Sequence, residues 1–99
     1  MSLRHYRYRF AMAIPTQHKA LLLPSVGAEL TIQTVDAHTP DAGEILVRVE
    51  LAAINPLDWM MHEFGLYLTQ FPATLGCDAC GVIVQVGPNI TNRSVGERV

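Results

Sequence analysis

Cysteine is scarce in this chain. Cys77 and Cys80 are the only two, too few for a disulfide framework, so a reducing, cytoplasmic setting is expected. Charge is scarce as well: Asp, Glu, Lys and Arg make up 16% of the residues and the net charge is −2. That balance gives no basic footprint for nucleic acid. No apolar run approaches the ~20 residues of a membrane span. No Pro/Gly/Ser-rich linker, internal repeat or low-complexity tract divides the chain. What is present is 49% hydrophobic residues over 99 positions, enough to bury the core of one small domain.

The few charges are unevenly placed. Residues 1–11 carry Arg4, Arg7 and Arg9 and no acid, while residues 12–99 hold four bases against nine acids. The basic head reads either as a short organellar targeting segment or as a disordered extension over residues 1–17, with Met12 a natural first residue in place of Met1. Asn89-Ile90-Thr91 and Asn92-Arg93-Ser94 match a glycosylation acceptor pattern, but without a signal peptide they read as turn residues.

From residue 18 onward the pattern is mostly β. His18–Leu23 and Glu29–Val35 flank a Ser-Val-Gly-Ala turn and read as a hairpin, with Leu30 and Ile32 sharing a face. His38–Glu44 is a loop rich in breakers. Ile45, Val47, Val49, Leu51 and Ala53 alternate with Arg48 and Glu50, which predicts a strand with one core face and one partly wet face. That strand stops at Asn55-Pro56, since proline cannot continue a ladder. Pro56 to Gly65 suits a short helix, with Pro in the first turn, Asp58 at the positive end and Gly65 as terminator. Thr69–Gly76 reads as loop. Cys80–Gly87 returns to β, with Val82, Val84 and Val86 on one face, and Gly96–Val99 begins a further strand. Short strands separated by turn signals predict a barrel or sandwich. The C-terminus falls within a strand, which predicts an incomplete sheet with an unpaired edge and exposed apolar surface.

The C-x-x-C spacing of Cys77 and Cys80 raises three readings. A structural zinc site takes four ligands, usually from two such pairs, and this chain has one pair with no H-x(3–5)-H partner. A redox pair sits at a helix N-terminus, which lowers the thiol pKa, whereas here the alternating run GVIVQVG follows. On an extended segment the two side chains face opposite ways. Two unpaired thiols are therefore expected, Cys80 packed and Cys77 at a loop-to-strand junction.

Four elements occur in order: Asn55-Pro56-x-Asp58, Gly65-x-Tyr67, Gly76-x-Asp78-x-x-Gly81-Val82-x-x-x-Val86-Gly87 and Gly96-x-Arg98-Val99. Each alone is weak, but the ordered set resembles the N-terminal domain of the medium-chain dehydrogenase/reductase superfamily. The resemblance covers residues 18–99. It implies a mainly β fold, a GroES-like, partly open β-barrel with a short helix. The start of the domain and the Asn-Pro-Leu-Asp-Trp run are most similar to fungal zinc-independent members, including trans-acting enoyl reductases that partner polyketide synthases. In zinc-dependent relatives a cysteine occupies the Asn55 position, and a histidine followed by glutamate occupies the Cys77-Asp78 position. With Asn55 and Cys77 in those places no catalytic zinc is expected.

The chemistry this resemblance implies is hydride transfer from NADPH to an activated C=C bond of an enoyl thioester, enone or quinone. Tyr67 matches the tyrosine that donates the proton or orients the substrate, and the competing reading is an aromatic anchoring its loop. Asn55 and Asp58 match cofactor-lining positions, against local capping. Trp59, Cys77 and Asp78 are the candidate substrate pocket, although a tryptophan here is otherwise core. Met60 replaces a lysine frequent in fungal relatives, which removes a charge that would anchor a phosphate or acidic group. The doubly wound cofactor (Rossmann) domain of the family, with its G-x-G-x-x-G turn, is absent from this stretch, so the 99 residues alone are expected to be inactive. Two readings follow: a catalytic-domain fragment of an oxidoreductase, or a truncated, non-enzymatic β module.

Overall fold

The computed structural model describes residues 14–99. The basic head (residues 1–11) and Met12 lie outside the described residues. The chain divides into two compact units: one comprises 14–16, 37–51 and 80–99, the other 17–36 and 52–79.

The second unit opens on the predicted hairpin. β1 (Gln17–Leu23) pairs antiparallel with β2 (Thr31–Asp36), from Gln17 opposite Asp36 to Leu22 opposite Thr31. The expected face of β2 is not the buried one: Ile32 is 72% exposed, while Thr31 and Val35 are half-buried. A two-residue strand, β4 (Ala73–Thr74), joins the other side of β1 and completes the order β2-β1-β4. This segment was expected to be loop. Two residues are too few for any alternation to be read, and only the backbone pairing of Leu22 with Thr74 and Leu23 with Ala73 reveals the strand. Burial of Leu22, Leu23 and Ala73 follows from that pairing.

Helix α1 (Pro56–Phe64) forms where expected. Gly65 ends it at φ +68, with its N–H donating to the Met61 carbonyl (2.9 Å). The left-handed turn is easy only for a residue without Cβ. Met61 faces inward. The helix is tied to the β1–β2 turn from both sides of His62: its carbonyl accepts from Gly27 N–H (2.7 Å), and its Nε2–H donates to the Ala28 carbonyl (2.6 Å).

The first unit is built on a two-stranded sheet of β3 (Ile45–Ala52) and β5 (Ala79–Val86). Its core residue is Ile83, which is fully buried, whereas Val82, Val84 and Val86 on the other face are half-buried. The core face expected of β3 holds only in its first half. Ile45 and Val47 are partly covered, but Val49 and Leu51 are exposed, Leu51 at 71%, and so is Ala53 beyond the strand end. Nothing among the described residues covers that half. The chain's last residues pair back onto β5, with Val82 bridging Arg98 and Gly81 and Val99 exchanging two hydrogen bonds of 2.9 Å. Gly81 and Gly87 permit close packing, since a Cβ at either would overlap a carbonyl oxygen, of Arg48 and of Asp41 respectively. Neither sheet closes on itself among the described residues.

Candidate active site

Asn55 sits at the junction where strand gives way to helix. Its backbone is extended (φ −123, ψ 160) and Pro56 locks the first helical turn behind it. Its main-chain N–H donates to Asp58 Oδ2 (2.8 Å), and the Asp58 N–H returns a bond to the Asn55 carbonyl (3.0 Å). The local capping role expected of Asp58 is therefore present, and its negative charge faces the positive helix end.

The Asn55 side chain looks elsewhere. Its Nδ2 donates to Asp78 Oδ2 (2.8 Å), and the Ala53 N–H donates to the Asp78 carbonyl (3.0 Å). A carboxylate only accepts, so the amide nitrogen must face Asp78 and the amide oxygen must face away. Two aspartates thus bracket one asparagine. Asp58 Oδ1 is buried with no hydrogen-bond partner, the one such side-chain atom among the described residues. It is an acceptor that an incoming N–H or O–H would satisfy.

The other candidates follow along the chain. Trp59 follows Asp58 on α1 and is half exposed, not core, with its ring edge-on to Phe64 at 5.8 Å between centroids. Tyr67 lies in the loop beyond Gly65, 79% exposed and in the left-handed region at φ +63. Cys77 is a free, exposed thiol beside Asp78, and Cys80 is free and half-buried in β5. The structure joins Asn55, Asp58 and Asp78 through hydrogen bonds and leaves Trp59, Tyr67 and Cys77 presented to solvent. The Asn55–Asp78 bond was not legible in the sequence, where the two residues lie 23 positions apart.

A mainly β chain with this Asn-Pro-x-Asp corner is of the GroES-like class. Residues 41–99 match the alcohol dehydrogenase GroES-like domain, and the chain belongs to that family. It is similar to dehydrogenase orsE of Emericella nidulans, 34% identical over 82 residues that span 83% of this chain and 24% of that protein. It is also similar to trans-enoyl reductase tndF of Aspergillus flavipes, 33% identical over 76% of this chain and 22% of that protein. Among solved structures, the cobalt- and zinc-bound thermostable alcohol dehydrogenase from Pyrobaculum aerophilum superposes with a TM-score of 0.78 at 28% identity, over 83% of this chain and 25% of that one. The chain spans about a quarter of the length of these relatives. No helix among the described residues is long and apolar enough to cross a membrane.

Proposed function

We propose that residues 18–99, preceded by a basic extension over 1–17, are the GroES-like portion of a cytoplasmic, NADPH-dependent, zinc-independent reductase. Its reaction is reduction of an activated C=C bond in an enoyl thioester, enone or quinone. The carrying observation is the Asn55–Asp78 hydrogen bond of 2.8 Å. Two positions that hold metal ligands or their neighbours in zinc-dependent relatives are here committed to each other. An amide nitrogen donating to a carboxylate offers a soft metal nothing, and one cysteine falls short of the three protein ligands a catalytic zinc takes.

The same corner fits a nicotinamide nucleotide. The Asn55 amide oxygen, turned from Asp78, and the unpartnered Asp58 Oδ1 are acceptors, suited to the carboxamide N–H or ribose hydroxyls of such a cofactor. When bound, NADPH supplies the hydride. Asp58 and Asn55 orient, and the Tyr67 phenol gives a proton to, or hydrogen-bonds, the oxygen-stabilised carbanion left at the substrate. Trp59 and Cys77 offer apolar and polarisable walls for the substrate. Relatives named trans-enoyl reductases support the enoyl reading, and a polyketide synthase is the partner that this reading implies.

The test is NADPH oxidation by a product that joins this chain to a dinucleotide-binding domain, with an enoyl thioester and an enone as substrates. Activity is expected to survive chelation, and Tyr67→Phe to lower kcat by about 10²–10⁴-fold. Loss of activity on chelation would overturn zinc independence. The 99 residues alone are expected to leave NADPH unconsumed.

A further inference from the structure

Given the cofactor reading above, on which this rests, we propose that Asp78 is a positioning residue that sets which ligand groups the corner at Asn55 accepts. Asp78 acts through the Asn55 amide and not by contact with a ligand. An asparagine side chain carries a donor on one side and an acceptor on the other, and a half turn exchanges them. Left without a partner, it serves a ligand carbonyl and a ligand N–H about equally well. Asp78 removes that freedom. Its Oδ2 accepts from Asn55 Nδ2 at 2.8 Å, and a turned amide would set oxygen against oxygen. The carboxylate charge deepens the preference, since charge-assisted hydrogen bonds are about twice as strong as neutral ones.

The backbone keeps the two side chains in reach of each other. Both residues belong to the second unit. Asn55 is fixed at the helix start, with its N–H donating to Asp58 Oδ2 (2.8 Å) and its carbonyl accepting the Asp58 N–H (3.0 Å). The Asp78 carbonyl accepts the N–H of Ala53, two residues before Asn55 (3.0 Å). That bond ties the two segments together beside the side-chain pair. Asp78 is exposed and Asn55 half-buried, so a substitution at Asp78 changes the partner of the amide without opening the core.

The result is a corner of one polarity. The Asn55 amide oxygen faces away from Asp78 as an acceptor, and Asp58 Oδ1 is a buried acceptor with no partner. The main-chain N–H groups of Asn55 and Asp58 are both spent within the corner. These two residues therefore offer a ligand acceptors and no donor. A primary carboxamide meets them through its N–H groups, whereas a methyl ketone of the same shape leaves them unmatched.

Two measurements separate the positioning role from the cofactor reading. In the purified chain, with no cofactor, nuclear magnetic resonance should show a scalar coupling across the hydrogen bond from Asn55 Nδ2 to Asp78 Cγ, absent in Asp78→Ala. In the product joined to a dinucleotide-binding domain, affinity is measured for NADPH and for its 3-acetylpyridine analogue, whose methyl ketone lacks the amide N–H. The wild type should prefer NADPH by about tenfold, roughly the worth of one hydrogen bond. In Asp78→Asn the new amide donates or accepts, Asn55 is free to turn, and the preference should fall to about twofold or less. Asn55→Ala should lose the preference as well, and adding Asp78→Asn to it should change nothing further. Chemical-shift dispersion confirms that the variants fold. An uncoupled amide in the wild-type chain, or a preference that Asp78→Asn keeps and Asn55→Ala loses, would overturn the positioning role. A coupled amide in a wild type that shows no preference would instead overturn the cofactor reading at Asn55, and the selection with it.

Discussion

Asp58 has two tasks, and they can be separated. It accepts the Asn55 N–H at the start of α1, and its other oxygen waits buried. Asp58→Ala removes the capping acceptor and is expected to cost about 1 kcal/mol, which lowers Tm by about 4–8 °C in a domain of this size. Urea denaturation checks it. Tyr67 offers a sharper choice. Exposed at the loop surface, it should tolerate Tyr67→Phe within about 0.5 kcal/mol. A larger loss would mean that its hydroxyl anchors the loop, against the catalytic reading. The same substitution in an active, longer product then reads the chemistry alone. Stability and turnover so measured divide a structural tyrosine from a functional one.

Strand β5 shows how burial, not hydrophobicity, sets the worth of an element's residues. Ile83 is fully buried, whereas Ile32 on β2 is 72% exposed. Ile83→Ala should cost about 2–5 kcal/mol through lost transfer energy and a cavity, while Ile32→Ala should stay within about 0.5 kcal/mol. Equal losses would mean that the two sheets bury other residues. Gly81 tests the packing of β5 on β3. An alanine Cβ would overlap the Arg48 backbone, which cannot swing aside as a side chain would, so Gly81→Ala should destabilise by at least about 2 kcal/mol. Helix α1 depends on neighbours in a softer way. A Cβ at Gly65 would meet Val26 Cγ2 at 2.7 Å, and a valine rotamer can yield, leaving the left-handed backbone as the main cost.

For the molecule as a whole, acid is the condition to which stability should respond. Glu44 is held below the usual carboxylate range by the Asp41 N–H and then by His38, Glu50 by Arg98, and Glu97 by Arg93 and then the Ser94 N–H. A carboxylate with a lowered native pKa stabilises the fold fully above its unfolded pKa of about 4.3, and the contribution is lost as pH falls through the native value. The urea midpoint should therefore decline below about pH 4.3. Glu97→Gln should make that decline shallower while lowering the midpoint slightly at neutral pH, as expected for exposed pairs. A midpoint that is flat down to pH 3 would show that these pairs contribute nothing. The wide apolar exposure, with Ile54 at 94%, sits on the same molecule, and association there should be easiest near the isoelectric point of about 6.0, where net charge and its repulsion vanish.

Much of the architecture was readable in the chain, because its signals act over a few residues. Proline at position 56 must start a helix or end a strand, Gly65 must terminate, and the Ser-Val-Gly-Ala turn places the hairpin, although the face read from the alternation of β2 was not the buried one. Family membership was readable for a related reason: glycines and polar corners in fixed order mark backbone positions that only certain residues can occupy. Three things needed the tertiary structure. β4 is a strand only because β1 offers it backbone partners. The exposed half of β3 is exposed because nothing among the described residues covers it, a fact that alternation cannot carry. Asn55 and Asp78 meet only once a strand, a helix and a loop have folded between them. Local propensity is written residue by residue, whereas burial and long-range hydrogen bonds depend on which surfaces meet, and that is decided in three dimensions.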